Sequence, residues 1–335
     1  MLGAVHYHLS DYISHRTAGL AAMRALDSAG VRLVPDPERA DVLIIHDDPY
    51  FYPEFVDRYG GKKRIVAYCV WETDILPASF ARNLQGVDAI WTCTPFSARA
   101  FERAGFDNVA VAPHVVAPAE PTDQEMEAVR ARLAGLEGRF LFYTVVDSVN
   151  PRKNLEGLLQ AYAKAFRTED AIGNLVGLVV KQYRKAWDLD GLPGVVSITD
   201  RLTGGEMTAL HRLCHAYASA HHAEAWGLPL SNAMHEGNPV VATGYSGNMF
   251  YMNASNSFPV RYELVPVSEA MCKLLPVFTP DMVWAEPDLD HMAYLMHKAA
   301  RAGSDQRLSG LARAAVRDFQ PDKIGTRMRE LLEAL

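Results

Sequence analysis

The feature that most constrains this chain is its rhythm, in which short apolar runs alternate with helix-length amphipathic segments. In the first third, Ala4–Leu9, Val31–Val34, Val42–His46, Arg64–Val70, Ala89–Cys93 and Val109–Ala112 read as strands. Between them Arg16–Ala29, Pro53–Tyr59, Pro77–Gln85 and Pro95–Ala104 read as helices, with Pro at several starts and Gly30, Gly60-Gly61 or Gly105 past several ends. That punctuation suits helix termini: Pro lacks an N–H that the first turn would leave unpaired, and Gly tolerates the left-handed exit. Strands separated by helices cannot pair as hairpins. They pair through crossovers, which gives a parallel sheet covered on both faces.

The Pro- and Ala-rich stretch Pro113–Pro121 interrupts the series, and a charged helix is expected from Thr122 to about Leu136. A second series then starts with strand Phe140–Val146 and helix Lys153–Phe166, which has Leu155, Leu158, Leu159, Tyr162 and Phe166 on one face. Strands Leu175–Lys181, Val195–Ile198, Tyr217–Ala220 and Pro239–Ala242 follow, with helices Glu206–His215 and Leu228–His235 among them. The C-terminal end reads as two helices split near Phe319-Gln320-Pro321. The expected class is α/β with two doubly wound domains. A first domain is expected over residues 1–115, a linker and helix over 116–138, a second domain over 139–305, and C-terminal helices over 306–335. Such sheets bind ligands at the C-terminal ends of their strands.

Composition narrows the function classes. With 49% hydrophobic and 22% charged residues the chain is an ordinary globular protein, not a disordered or collagen-like one. No apolar run approaches the ~18 residues of a membrane span, and the start MLGAVHYHLSDY shows no leader pattern. Cys69, Cys93, Cys214 and Cys272 form no CxxC pair and read as buried thiols in a reducing, cytoplasmic compartment, with or without peripheral membrane attachment. The net charge of −7 argues against a protein built to grip a polyanion.

The densest chemistry lies in Ser219-Ala220-His221-His222-Ala223-Glu224-Ala225-Trp226-Gly227-Leu228-Pro229-Leu230-Ser231-Asn232. A strand ends, a loop carries one carboxylate, and a helix starts at Gly227, whose free amides suit an anion. A carboxylate there is expected to bond sugar hydroxyls and to stay ionised in a wet pocket. Gly237-Asn238-Pro239-Val240-Val241-Ala242 and the turn Tyr245-Ser246-Gly247-Asn248 follow. Arg152 and Lys153, placed in the first turn of a helix, oppose its dipole and so call for an anionic partner. Lys181 ends an apolar strand, where an edge lysine that snorkels to solvent is the plain alternative.

These residues resemble the donor-site signature of retaining GT-B glycosyltransferases of family 4, group 1 type: Glu-Gly-Phe-Gly-Leu-Pro, a second Glu eight residues after the first, then Gly-x-Pro-Val-Val-Ala. Glu224, Trp226, Gly227, Leu228, Pro229, Gly237, Pro239 and Val240-Val241-Ala242 match, whereas Ala225 and Asn232 stand where the signature has Gly and Glu. Asn150-Pro151-Arg152-Lys153-Asn154-Leu155 looks like the basic turn after the first strand of that donor domain. Trp71-Glu72-Thr73-Asp74, Ala89–Ser97 and Val283–Asp288 resemble a bacterial and phage polysaccharide-type branch, so the likeness covers residues 64–335 and fades before them. The family's glycine-rich turn in the first domain is replaced by Asp11-Tyr12-Ile13-Ser14-His15-Arg16.

The resemblance implies two Rossmann-like domains facing across a cleft, with C-terminal helices crossing back. It implies a co-substrate nucleotide-sugar, UDP- or GDP-linked, no other cofactor and no metal, and transfer of a hexose to a glycan or lipid-linked acceptor with retention. Glu224, Arg152 and Lys153 take the catalytic roles in that picture. Lys181, Gly227, Leu228, Asn232, Ser246, Gly247 and Asn248 bind the donor, with Asn232 on the ribose. His15, Asp47, Asp48, Glu72 and Asp74 follow strands of the first domain and fall on the acceptor side, with His46 beside Asp47 and His114 near the hinge; helix capping by Asp74, a turn at Asp47-Asp48-Pro49 and structural histidines are the alternatives. A hydroxymethylated base of phage-type DNA is an alternative acceptor, which eleven Lys/Arg against fourteen Asp/Glu in residues 1–115 disfavour. A sugar- or nucleotide-binding protein without turnover is the other alternative, prompted by Asn232 and Ala225. His211, Cys214 and His215 lack the glutamate of a zinc helix motif. Asp188-Leu189-Asp190, beside Gly191, reads as a loop.

Overall fold

The computed structural model describes residues 2–166, 175–303 and 305–335. They form two units, Met1–Ala117 with Asp318–Leu335, and Pro118–Arg317.

The first unit is built on β1 (Val5–Leu9), β2 (Val42–His46), β3 (Arg64–Tyr68), β4 (Ala89–Thr92) and β5 (Val109–Val111), side by side in that order and all parallel. Helices α1 (Ile13–Ser28), α2 (Tyr52–Tyr59), α3 (Ala78–Asn83) and α4 (Pro95–Arg103) make the crossovers. All five residues of β2 are buried, the pattern of a central parallel strand rather than of a one-sided sheet. The strand expected over Val31–Val34 is reduced to one bridge, Leu33 to Val5, because Pro35 follows and cannot donate to a ladder. That bridge lies on the free edge of β1. The chain therefore runs outward from β1, then crosses back to β2, and the strand order reverses between β1 and β2. Right-handed crossovers put α1 on one face and α2, α3 and α4 on the other. The C-terminal helix Pro321–Glu333 packs on α1, and Val116 N–H donates to Phe319 O at 2.8 Å.

The second unit starts with α5 (Asp123–Arg132) and carries β6 (Phe140–Asp147), β7 (Val176–Tyr183), β8 (Val195–Ile198), β9 (Ala216–Ser219), β10 (Val240–Thr243) and β11 (Phe258–Val260). Their order is β11-β10-β9-β6-β7-β8, all parallel, so the reversal falls between β6 and β9. Helix α6 (Leu155–Ala165) turns Leu155, Leu158 and Tyr162 onto Phe142, Leu178 and Val180, and Phe166 beyond its end joins them. Each such fully buried side chain contributes about 1.5–3 kcal/mol. Helices α7 (Gly204–Leu213) and α8 (Leu228–Glu236) precede β9 and β10 in turn. Thr203 caps α7 in a box with Glu206.

Three features depart from the sequence reading. β12 (Tyr262–Pro266) and β13 (Val283–Pro287) form an antiparallel pair, with α9 (Glu269–Leu274) between them. The C-terminal end holds three helices: α10 (Leu289–Ala302) stops at Gly303, with φ at +58°, and α11 (Gln306–Ala315) restarts where Asp305 accepts from the Arg307 and Leu308 amides. Cys69, Cys93 and Cys214 are buried, but Cys272 is only half-buried. No helix among the described residues is long and apolar enough to cross a membrane.

Candidate functional site

In the second unit the residues singled out from the sequence gather at the strand reversal. The segment after β6 makes a 3-10 turn, Pro151–Lys153, and Asn154, at φ +48°, then caps α6. Arg152 and Lys153 therefore precede the α-helix rather than occupy its first turn, so the dipole argument does not account for them. Their partner is Glu224, in the loop after β9. Lys153 Nζ is hydrogen-bonded to Glu224 Oε1, and Arg152 Nη1 lies 3.3 Å from Glu224 Oε2 while donating to Ala223 O at 2.6 Å.

Glu224 is 7% exposed. Burial alone would raise its pKa, but the Lys153 and Arg152 charges override that and bring it to about 2. The carboxylate is thus ionised as expected, though for another reason than the wet pocket foreseen: it is buried and lies between two cations.

Backbone contacts fix this loop. Glu224 N–H donates to Ser246 Oγ at 2.8 Å, and Gly247 N–H to Glu224 O at 2.8 Å. A methyl group at Gly247 would stand 1.8 Å from Ala225 O, so only glycine lets the two turns approach this closely. His221, fully buried, meets Ser219 Oγ at 3.0 Å through Nδ1 and Asn248 Oδ1 at 3.2 Å through Nε2. Burial lowers its pKa to about 4, so it is neutral near pH 7 and holds Asn248 as a hydrogen-bond donor. Asn248 donates in turn to Thr243 O at 3.0 Å. Sequence reasoning noted His221 without giving it this role; its signal was a polar residue directly after a buried strand.

Gly227, at φ +83°, caps α8, and Tyr251 OH donates to Trp226 O at 2.6 Å beside it. Leu228 and Asn232 are half-buried in the first two turns of that helix. Lys181 sits elsewhere in the network: it is 1% exposed, donates to Gln182 O at 2.6 Å and lies 4.1 Å from the Tyr183 ring. Burial lowers its pKa. Asp147, at the end of β6, pairs with Arg184 and keeps Oδ1 buried with no hydrogen-bond partner. The sequence reading passed over both residues.

In the first unit, the first turn of α1 and the loop after β2 bring His15, Asp47 and Asp48 together, with one ligating atom of each within 4.8 Å of the others. Glu72, in the segment after β3, is near enough to act on Asp48 electrostatically. Asp74 lies in the same segment and does not cap α3, whose N-cap is Pro77. Deeper in, His46 takes Tyr7 OH at 2.8 Å on Nδ1 and stacks on Tyr68 at 4.2 Å, and Tyr68 OH meets His114 Nδ1 at 3.0 Å. Burial lowers the pKa of both histidines, His114 to about 3. His211 and His215 are structural: His211 Nδ1 meets Tyr143 OH at 2.6 Å, and His215 Nδ1 accepts from Leu141 N–H at 2.9 Å.

Residues 133–256, which contain the whole Glu224 cluster, match the family described as "Glycosyl transferases group 1". Among solved structures the chain is similar to Anabaena HepE in complex with UDP and glucose, with 14% identity, all of both chains covered and a TM-score of 0.70. It is also similar to TarM from S. aureus, with 10% identity, 87% of this chain and 55% of that one covered, and a TM-score of 0.60. A third is the UDP-forming alpha,alpha-trehalose-phosphate synthase from Burkholderia xenovorans, with 14% identity, 95% and 78% covered, and a TM-score of 0.59. The fold is GT-B. The match to that fold covers both parallel-sheet units, while the sequence match is confined to the second. No curated protein sequence matches the chain.

Proposed function

We propose that this GT-B protein is a glycosyltransferase that moves a hexose from a UDP- or GDP-linked donor to an acceptor hydroxyl, with retention of anomeric configuration. The observation that carries the reading is the ion cluster of Glu224, Arg152 and Lys153, at the strand reversal of a unit that matches glycosyl transferases in sequence. As the bond between sugar and phosphate breaks, negative charge accumulates on the leaving nucleoside diphosphate. Two cations held in a water-poor pocket stabilise that charge without reorganising. Without a donor, Glu224 is their counter-ion. With a donor bound, the diphosphate shares the cations and the carboxylate oxygens accept from sugar hydroxyls.

In this scheme the amides of Gly227 and Leu228 and the turn Ser246-Gly247-Asn248 receive the diphosphate or sugar, Asn232 the ribose hydroxyls, and Lys181 a phosphate or sugar oxygen. The acceptor oxygen bonds to the anomeric carbon on the face from which the diphosphate departs, and a phosphate oxygen takes its proton. His15, Asp47, Asp48, Glu72 and Asp74 serve the acceptor, a glycan or a lipid-linked sugar in cytoplasmic polysaccharide synthesis. HepE, whose structure covers the whole chain, is known with UDP, with UDP and glucose, and with UDP-glucose, which favours a uridine donor.

The test is release of nucleoside diphosphate from a panel of UDP- and GDP-hexoses, with the anomeric configuration of the product read by NMR. The parent should release one diphosphate, and Glu224→Gln and Lys153→Ala should lower the rate at least a hundredfold. Equal release by Glu224→Gln, or none from any donor, would contradict the reading.

A further inference from the structure

At the strand reversal of the first unit, the start of α1 and the loop after β2 assemble donors of two kinds. One imidazole nitrogen of His15 and one carboxylate oxygen each of Asp47 and Asp48 lie within 4.8 Å of one another. The grouping differs from an ordinary acidic surface in the unpaired nitrogen of its histidine, and a second such nitrogen lies on a neighbouring ring. His15 Nδ1 is closed off from solvent and has no hydrogen-bond partner. His46 is 1% exposed, its Nδ1 is taken by Tyr7 OH, and its Nε2 also has no partner. The His46 ring lies 5.9 Å from that of His15. A native fold seldom leaves two buried imidazole nitrogens unsatisfied in one neighbourhood, because each has given up its water for nothing.

The charges point the same way. Asp47 and Asp48 place two carboxylates beside the one imidazole of His15. The site thus holds acids in excess.

We propose that His15, Asp47 and Asp48 bind one divalent transition-metal cation of the Mn2+ or Zn2+ class. One nitrogen and two oxygens make a borderline donor set, too poor in oxygen for Ca2+ and better matched to a metal that accepts imidazole. Three protein ligands leave coordination positions open for water or a hydroxyl group of a substrate. Ligands of one such ion stand roughly 3–3.5 Å apart, given metal–ligand distances near 2.1 Å. Closing the set from 4.8 Å to that separation takes side-chain movement, and among the described residues no hydrogen bond holds the Asp48 carboxylate. Asp47 is already oriented, since its Oδ1 accepts from Asp48 N–H at 2.8 Å and its Oδ2 lies 3.8 Å from His8 Nε2. Orientation of this kind from outside the ligand set is what a metal site requires. Its place at the C-terminal ends of β1 and β2, where the strand order reverses, is where open α/β sheets take their ligands.

The proposal does not rest on the glycosyltransferase reading, and its test uses no donor. The full chain, stripped with chelator and dialysed, is titrated with MnCl2 and with ZnCl2 by calorimetry, and bound Mn2+ is counted by electron paramagnetic resonance. The expected result is one saturable site per chain, weakened at least tenfold in His15→Gln and in Asp48→Asn and abolished in the double variant. Circular dichroism without metal checks folding, and either single variant that keeps the parent spectrum suffices. Absence of saturable binding of both metals up to millimolar concentration would overturn the proposal. So would one-to-one binding that the variants leave unchanged.

Discussion

Replacing Glu224 with Gln keeps the shape of the side chain and removes a carboxylate paired with both Arg152 and Lys153. Two consequences of opposite sign follow. The first is loss of stability. Lowering a buried carboxylate from its ordinary 4.5 to about 2 corresponds to roughly 3 kcal/mol of linkage, and breaking a buried ion pair by removing one partner typically costs about 3–5 kcal/mol. For a unit of this size, where 1 kcal/mol moves the midpoint by about 2–4 °C, the melting temperature should fall by roughly 6–20 °C. The second consequence is tighter binding of a nucleoside diphosphate, because the two cations have lost their internal anion. In differential scanning fluorimetry, UDP or GDP should therefore raise the midpoint of Glu224→Gln by more degrees than it raises the parent's, although turnover is lost. A variant that melts within 2 °C of the parent would refute the reasoning about the cluster. So would a variant that loses the nucleotide shift together with activity, since Glu224 would then be holding the diphosphate rather than competing with it.

Gly247→Ala should cost at least about 2–3 kcal/mol by overpacking, because its methyl group would meet Ala225 O at 1.8 Å; urea titration reads this, and a loss under 1 kcal/mol would mean that the two turns part easily. Thr203→Ala removes the capping box of α7 and should destabilise the unit by about 1 kcal/mol in the same titration, an unchanged midpoint being the contrary result. Acid should weaken the fold in stages. His211 and His221 have folded pKa values near 4, below the ordinary 6.5, so the unfolded chain takes up protons that the native one refuses. Stability should drop by up to about 1.4 kcal/mol per pH unit for each histidine between pH 6.5 and 4. Glu224 adds its own loss only below 4.5. Stability that stays flat from pH 6.5 to 4.5 would contradict the neutral, buried state of these histidines.

Much of this architecture was legible because its signals are local. Apolar runs such as Val42–His46 and Val176–Val180 declare buried parallel strands, and Gly237-Asn238-Pro239 marks a helix stop feeding a strand. Glu224, Arg152 and Lys153 were identifiable by type and spacing, but their contact spans 71 residues of sequence and arises only from the neighbouring positions of β6 and β9. The turn that carries the cations was misread for a local reason: Asn154 adopts a left-handed conformation, which pattern alone does not reveal. The antiparallel pair of β12 and β13 escaped because its register is set across α9 rather than by a short turn. Likewise, His15 meets Asp47 and Asp48 only through the crossover that places β2 beside β1.

The most direct test of the central claim is a melting panel of UDP, GDP, ADP, TDP and CMP against the parent and against an Arg152→Ala, Lys153→Ala double variant. A ligand at 100 times its dissociation constant adds about 2.7 kcal/mol, or roughly 5–11 °C at 2–4 °C per kcal/mol. The account predicts that UDP or GDP alone gives such a shift and that the double variant abolishes it. A panel in which no nucleotide moves the parent's melt, or in which the shift survives without Arg152 and Lys153, would contradict it.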